Sequence, residues 1–244
     1  MNILEVKDLR ISFKEEKKSI FDKTVYTEVL KGISFSMEEN EIVGLVGESG
    51  CGKSTLSKVI LGLHPQGQGS VIHNSKHPQM IFQDPYSSLN PAKTIGFILE
   101  EPLKNCTDMG AAERREKAEW MLNEVGLSKD FLNRYPKELS GGQRQRVCIA
   151  ESLMLGSKLL IADEPVSALD VTIQVQVLNL IKELQEKYKL SILFISHDLR
   201  VVYQLCKRIM IMQEGLIIES GSTDEIYRNP QNEYTKRLLK SAGL

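Results

Sequence analysis

Residues 47 to 55 read GESGCGKST, in which three glycines and a small thiol precede a lysine and two hydroxyls. Glycines take positive φ at little cost and let backbone come close to a ligand. The stretch before, 42 to 46, reads as a short buried strand, and residues 56 to 61 carry apolar side chains at helical spacing. The glycines then occupy a strand-to-helix turn, where successive N–H groups and the positive end of a helix form an anion cradle. Gly47, Gly52, Lys53 and Ser54 meet the template G-x-x-x-x-G-K-[ST], and Glu48, Ser49, Gly50, Cys51 and Thr55 complete the loop. Lys53 adds a full charge, and the Ser54 hydroxyl can ligate magnesium. The stretch reads as a triphosphate-binding loop rather than a Gly-Ser turn with an incidental lysine.

A triphosphate needs acidic partners. In LLIADEP, four apolar residues lead to Asp163 and Glu164 at the carboxyl end of a buried strand, where ligands of open α/β sheets bind. An aspartate there can hold magnesium, and a glutamate beside it can orient an attacking water. In LSGGQRQ, Ser140, Gly141 and Gly142 precede a helix and form a second anion-binding helix start, one without a lysine. One chain therefore carries two phosphate sites and one set of acidic partners. Two chains arranged head to tail would resolve the surplus.

The elements that must position these residues follow from the apolar pattern. Residues 3 to 13 and 29 to 37 alternate as half-buried strands do, and KEEKKSIFDKTVYTE between them reads as a charged loop. Residues 80 to 82 form a further strand ending at Gln83. Helical patterning runs from Asn90 to about Met154, and strand character returns at 158 to 165 and 191 to 198. Asp170 is a candidate N-cap for the helix between those two strands. A hairpin turns at Glu214 and Gly215, and Ser222 with Glu225 can form a capping box. Strands alternating with helices predict an α/β fold with a mainly parallel sheet and a helical subdomain, about 90 to 155, inserted into a single domain spanning 1 to 244.

With 244 residues the chain can bury one sizeable core, and 41% hydrophobic and 26% charged residues are ordinary for a globular protein. A net charge of −1 gives no global electrostatic reason to hold nucleic acid. The four cysteines are scattered without metal-ligand spacing, and reduced thiols are expected. Neither a secretory signal nor a membrane span is expected, so work at a membrane would require a partner.

GESGCGKST, LSGGQ, LLIADEP and ISHD, in this order, resemble the ATP-binding subunit of an ABC transporter over essentially the whole chain. The resemblance implies a P-loop ABC ATPase fold with a RecA-like core, a small antiparallel β subdomain and the helical insertion. It implies ATP and Mg2+ as cofactors, with two subunits sandwiching ATP between one P-loop and the other's signature segment, Ser140, Gly141, Gly142 and Gln143. Glu164 matches the catalytic carboxylate and His197 the switch histidine near the γ-phosphate. Ser54, Gln83 and Asp163 match the magnesium contacts, and residues 167 to 170, SALD, match the dimer-contacting loop. Phe13 falls where an aromatic stacks on adenine; Tyr26 is the alternative, and a strand-end core position is the competing reading of Phe13.

FQDPYSSLNP (82 to 91), SALDVTIQVQVLNLIKELQ (167 to 185) and NPQNEYTKRLLKSA (229 to 242) are similar to the oligopeptide, dipeptide and nickel importer subfamily. Its partners would be integral membrane permeases, a second ATPase subunit (a copy or a related chain) and, indirectly, an extracytoplasmic solute-binding protein, with the chain on the cytoplasmic face of the membrane. The sequence departs from the subfamily in a short stretch between Lys53 and Gln83, Asn40 in place of glycine, Glu151 in place of arginine and an early end after YTKRLLKSA. The two shortenings keep nickel or a metallophore open beside peptides as cargo. A soluble ATPase acting on ribosomes or DNA is the rival from another class, opposed by the single cassette and the absence of a basic patch. An exporter ATPase is opposed by FQDPYSSLNP and YTKRLL.

Overall fold

The computed structural model describes residues 1–14, 26–65 and 67–244. Most of the charged loop expected between the first two strands lies outside the described residues. The chain forms two compact units, one from residues 1–74 and 193–244, the other from 75–192.

In the first unit, β1 (Asn2–Lys14) pairs antiparallel with β2 (Tyr26–Glu38) on one side and with β4 (Gln68–His73) on the other. The alternation in β1 changes phase midway: Leu4 and Val6 are buried, then Leu9 and Ile11. A bulge absorbs the change. The register with β2 shifts between Val6 and Leu9, and Asp8 sits at φ 42. Opposite the bulge β4 has Gly69, where a Cβ would lie 2.4 Å from the carbonyl oxygens of Lys7 and Asp8.

β3 (Ile42–Val46) is buried at every residue, as a strand covered on both faces must be. It lies between β7 (Ser191–Ser196) and β8 (Arg208–Gln213) and runs parallel to β8, with Leu45 opposite Met210. Asn40 turns the chain into β3 at φ 63. β9 (Leu216–Ser222) returns antiparallel to β8 through Glu214 at φ 46 and Gly215 at φ 82, two successive left-handed residues as a tight hairpin requires. Helix α1 (Lys53–Ile60) buries Leu56, Val59 and Ile60. α7 (Leu199–Leu205), α8 (Thr223–Arg228) and α9 (Glu233–Ser241) complete the unit, and Ser222 and Glu225 form the expected capping box on α8.

In the second unit, β5 (Gln79–Ile81) runs parallel to β6 (Leu159–Asp163), with Met80 opposite Ile161. Between them come α2 (Pro85–Ser88), α3 (Ile95–Cys106), α4 (Ala111–Glu124), 3-10 turns at Lys129–Asn133 and Pro136–Glu138, and α5 (Gly141–Leu153). α6 (Val171–Tyr188) begins on Asp170, whose carboxylate accepts the Ile173 N–H at 3.0 Å. Among the described residues no helix is long and apolar enough to cross a membrane.

Candidate functional site

The glycine loop joins β3 to α1. Gly52 at φ 111 is the N-cap of α1, a conformation that a Cβ would strain. Gly47 serves close approach instead, since a Cβ there would lie 2.2 Å from the Met212 carbonyl oxygen. Lys53 is only 6% exposed, and its ammonium donates to the carbonyls of Gly47 at 2.7 Å and Glu48 at 2.9 Å. A buried ammonium needs acceptors of this kind, and here the loop itself provides them. Ser49 and Gly50 are exposed at the loop tip; Ser54 is exposed and Thr55 half-buried in the first turn of α1, where backbone N–H groups have no intrahelical acceptor. Cys51 is buried, and burial pushes its thiol pKa up against the opposing pull of Lys53. It stays a neutral filler beneath the loop.

In the second unit, β6 delivers Asp163, which is buried, and then Glu164, which is half-buried at φ 49. A glutamate in the left-handed region is uncommon. Gln83, two residues past β5, donates its amide N–H to Glu164 Oε2 at 3.1 Å. The pairing of β5 with β6 therefore brings two of the expected site residues together. Behind them, the Ser167 N–H and hydroxyl both donate to the Glu164 carbonyl, at 3.2 and 3.1 Å, which folds the 167-to-170 loop against the acidic pair.

Ser140 caps α5. Its hydroxyl accepts the Gln143 N–H at 3.3 Å, and Gln143 Oε1 accepts the Ser140 N–H at 3.0 Å. The side-chain oxygen of Gln143 is thus engaged in a capping box, while the first-turn N–H groups of Gly141 and Gly142 have no intrahelical acceptor. Gly142 has a second reason to be glycine, because a Cβ would meet Ile173 Cγ2 in the first turn of α6 at 2.6 Å.

His197 follows β7 and is exposed; Asp198 beside it caps α7 by accepting the Arg200 N–H at 2.9 Å. Phe13 is 37% exposed near the end of β1, which disfavours a core role, and its ring meets His64 edge-on at 4.8 Å. Tyr26, on the neighbouring strand, is 65% exposed. Sequence reasoning missed His64 as a ring partner and Tyr234, whose hydroxyl accepts the Glu48 N–H of the glycine loop at 3.2 Å. The only sequence signal for Tyr234 was its place within NEYTKRLL.

A family profile described as ABC transporter matches residues 30–167, the span from β2 through the glycine loop and the signature helix to the acidic pair. The chain belongs to the ABC transporter family. This cassette is 46% identical to the dipeptide transport ATP-binding protein DppF of Haemophilus influenzae over 92% of its own length and 73% of the relative. It is 43% identical to the oligopeptide transport ATP-binding protein AppF of Bacillus subtilis over 98% of its length and 78% of that protein. Among solved structures, the dimeric post-hydrolysis state of the ATP-binding cassette MJ0796, bound to ADP and Pi, matches with a TM-score of 0.77 at 27% identity, over 90% of this chain and 98% of that one. cbiO1 of Clostridium perfringens, at 24% identity, matches in fold with a TM-score of 0.79, over 99% of this chain and 98% of that one. The α/β architecture is that of an ABC ATPase, and the cassette is an ATP-binding, ATP-hydrolysing one.

Proposed function

We propose that this cassette powers the import of dipeptides or oligopeptides, hydrolysing ATP on the cytoplasmic face of a membrane beneath integral permease subunits. The observation that carries the catalytic part is the Glu164 carboxylate, held at φ 49 and clamped by the Gln83 amide at 3.1 Å. In this reading Lys53 and the N–H groups of the glycine loop hold the phosphates, and Glu164 orients the water that attacks the γ-phosphorus. The bond from that phosphorus to the β-phosphate oxygen breaks, and ADP and phosphate leave. Catalysis of this kind is mainly positioning and electrostatics. The Ser54 hydroxyl, the Gln83 amide oxygen and the Asp163 carboxylate are the proposed magnesium contacts, all oxygen donors of the hard type the ion prefers. Mg2+, when bound with ATP, neutralises phosphate charge. Among the described residues no cluster of three His, Cys, Asp or Glu forms a metal cage, which fits an ion that takes several ligands from phosphate and water.

Ser140, Gly141 and Gly142 are proposed to serve the ATP of a second subunit, a copy or a related chain, and His197 to face the γ-phosphate. Phe13, backed by His64, is favoured over Tyr26 as the adenine platform. The helical stretch about 90 to 155 is proposed as the inserted subdomain of one domain spanning the chain. A solute-binding protein outside the membrane would deliver cargo, and nucleic acid is no partner. Peptide cargo is preferred to nickel or a metallophore because the relatives reported above are named for dipeptide and oligopeptide transport. Uptake of labelled dipeptides, compared with nickel complexes, in cells lacking the protein separates the cargo classes.

Glu164→Gln tests the chemistry. It keeps size and hydrogen bonding but removes the charge that orients water. ATP binding should persist while turnover falls by roughly 10²–10⁴-fold, and size-exclusion chromatography with ATP should show dimer accumulating. Normal turnover in this variant would remove Glu164 from the mechanism.

A further inference from the structure

We infer that Tyr234, on the C-terminal helix α9, is a positioning residue for the phosphate loop and sets nucleotide affinity through a single peptide group. The inference rests on the reading of residues 47 to 55 as the loop that holds ATP. The peptide between Gly47 and Glu48 is held at both ends: its N–H donates to the hydroxyl of Tyr234 at 3.2 Å, and its C=O accepts the Lys53 ammonium at 2.7 Å. In a trans peptide the two groups point in opposite directions, so tying the N–H fixes the aim of the carbonyl. Hydrogen bonds in series also polarise one another, which strengthens the hold on the ammonium. The one full positive charge of the cradle is thus oriented by a hydroxyl on α9.

The hydroxyl is itself firmly placed. The Glu219 carboxylate on β9 accepts the N–H groups of Gln231 at 2.7 Å and Asn232 at 3.2 Å, and the Asn232 side chain caps α9 by accepting the Tyr234 N–H at 2.8 Å. The β8–β9 hairpin grips the same loop a second time, where the Gly215 N–H donates to the Cys51 carbonyl at 3.0 Å. Farther along α9, Leu238 and Ser241 line two cavities. One, of about 380 Å³, is shared with Glu48. The other, of about 330 Å³, is shared with His197. α9 thus adjoins both the loop and the histidine expected at the γ-phosphate, and its seating sets how well Lys53 meets phosphate.

The test is Tyr234→Phe in the full chain, which keeps the ring and removes the acceptor. Binding of a fluorescent ATP analogue should weaken roughly three- to tenfold, the loss expected for one hydrogen bond. KM for ATP should rise in step while kcat at saturating ATP stays within about twofold, because the reacting groups are untouched. The melting temperature should hold within about 2 °C. Lys53→Ala, measured in parallel, separates the two readings. If Lys53→Ala binds as the parent does, the phosphate-loop reading fails and the inference falls with it. If Lys53→Ala loses binding while Tyr234→Phe binds within about 1.5-fold of the parent, the inference alone is overturned. A drop in kcat and melting temperature together with affinity would also overturn it, since that pattern marks a structural defect.

Discussion

Glu151 stands on α5 in a setting that penalises its negative charge. The side chain is half-buried near the end of the signature helix, and its pKa is pushed up to about 7, first by burial and then by Glu101 on α3. The Cys148 thiol, one turn back, is pushed up to about 12, mainly by burial with Glu151 adding to it. A carboxyl displaced upward binds its proton more tightly in the folded chain than in the unfolded one. Its contribution is therefore neutral at low pH, and stability is lost as pH rises from its ordinary 4.5 toward about 7. At roughly 1.4 kcal/mol for each pH unit, the displacement amounts to roughly 3 kcal/mol by pH 8 and about 1 kcal/mol at pH 5. Glu151→Gln removes the charge and keeps the shape. The variant should melt roughly 6–12 °C above the parent at pH 8, with the gain shrinking to a few degrees at pH 5. Thermal unfolding followed by circular dichroism across that range reads the effect. A melting difference independent of pH between 5 and 8 would refute the assignment of an uncompensated carboxylate.

Two further substitutions probe the loop and the signature segment. Gly47→Ala places a methyl 2.2 Å from the Met212 carbonyl oxygen. A backbone atom of a buried strand cannot swing aside, so the variant should lose about 1–3 kcal/mol and melt roughly 3–10 °C lower; melting within a degree of the parent would show that the loop has slack. Ser140→Arg removes the cap of α5 and crowds the segment proposed to serve the other subunit. Nucleotide binding by the isolated chain should stay within about twofold while hydrolysis falls at least tenfold, and equal loss of both would count against the two-chain sandwich.

The parts of the site that were legible in sequence are those whose chemistry forces residue type. A loop that admits a phosphate needs glycines and a lysine; of that expectation the strand-to-helix turn at 47 to 55 is present, with Gly50 at φ 83 and Gly52 at φ 111. Glu164 and Gln83 each stand out in their own motifs, but their hydrogen bond does not, because it depends on β5 pairing with β6, a tertiary choice that local pattern does not encode. The phase break in β1 is of the same kind. Alternation points to a strand, but only the pairing with β2 and the close approach of Gly69 decide that the bulge falls at Asp8. Pro102 inside α3 runs against the usual breaker rule; the helix continues to Cys106, with Ile98, Leu99 and Leu103 buried around the proline.

Tyr234 marks the limit of such reading for a physical reason. Its partner is the Glu48 N–H, 186 positions away along the chain. A peptide N–H is present at every residue but proline, so no side chain at the receiving end announces the contact. A motif can specify the charge and the glycines of a phosphate loop. The peptide plane that aims the charge is set by whatever packs behind it, and here that is a helix from the far end of the sequence.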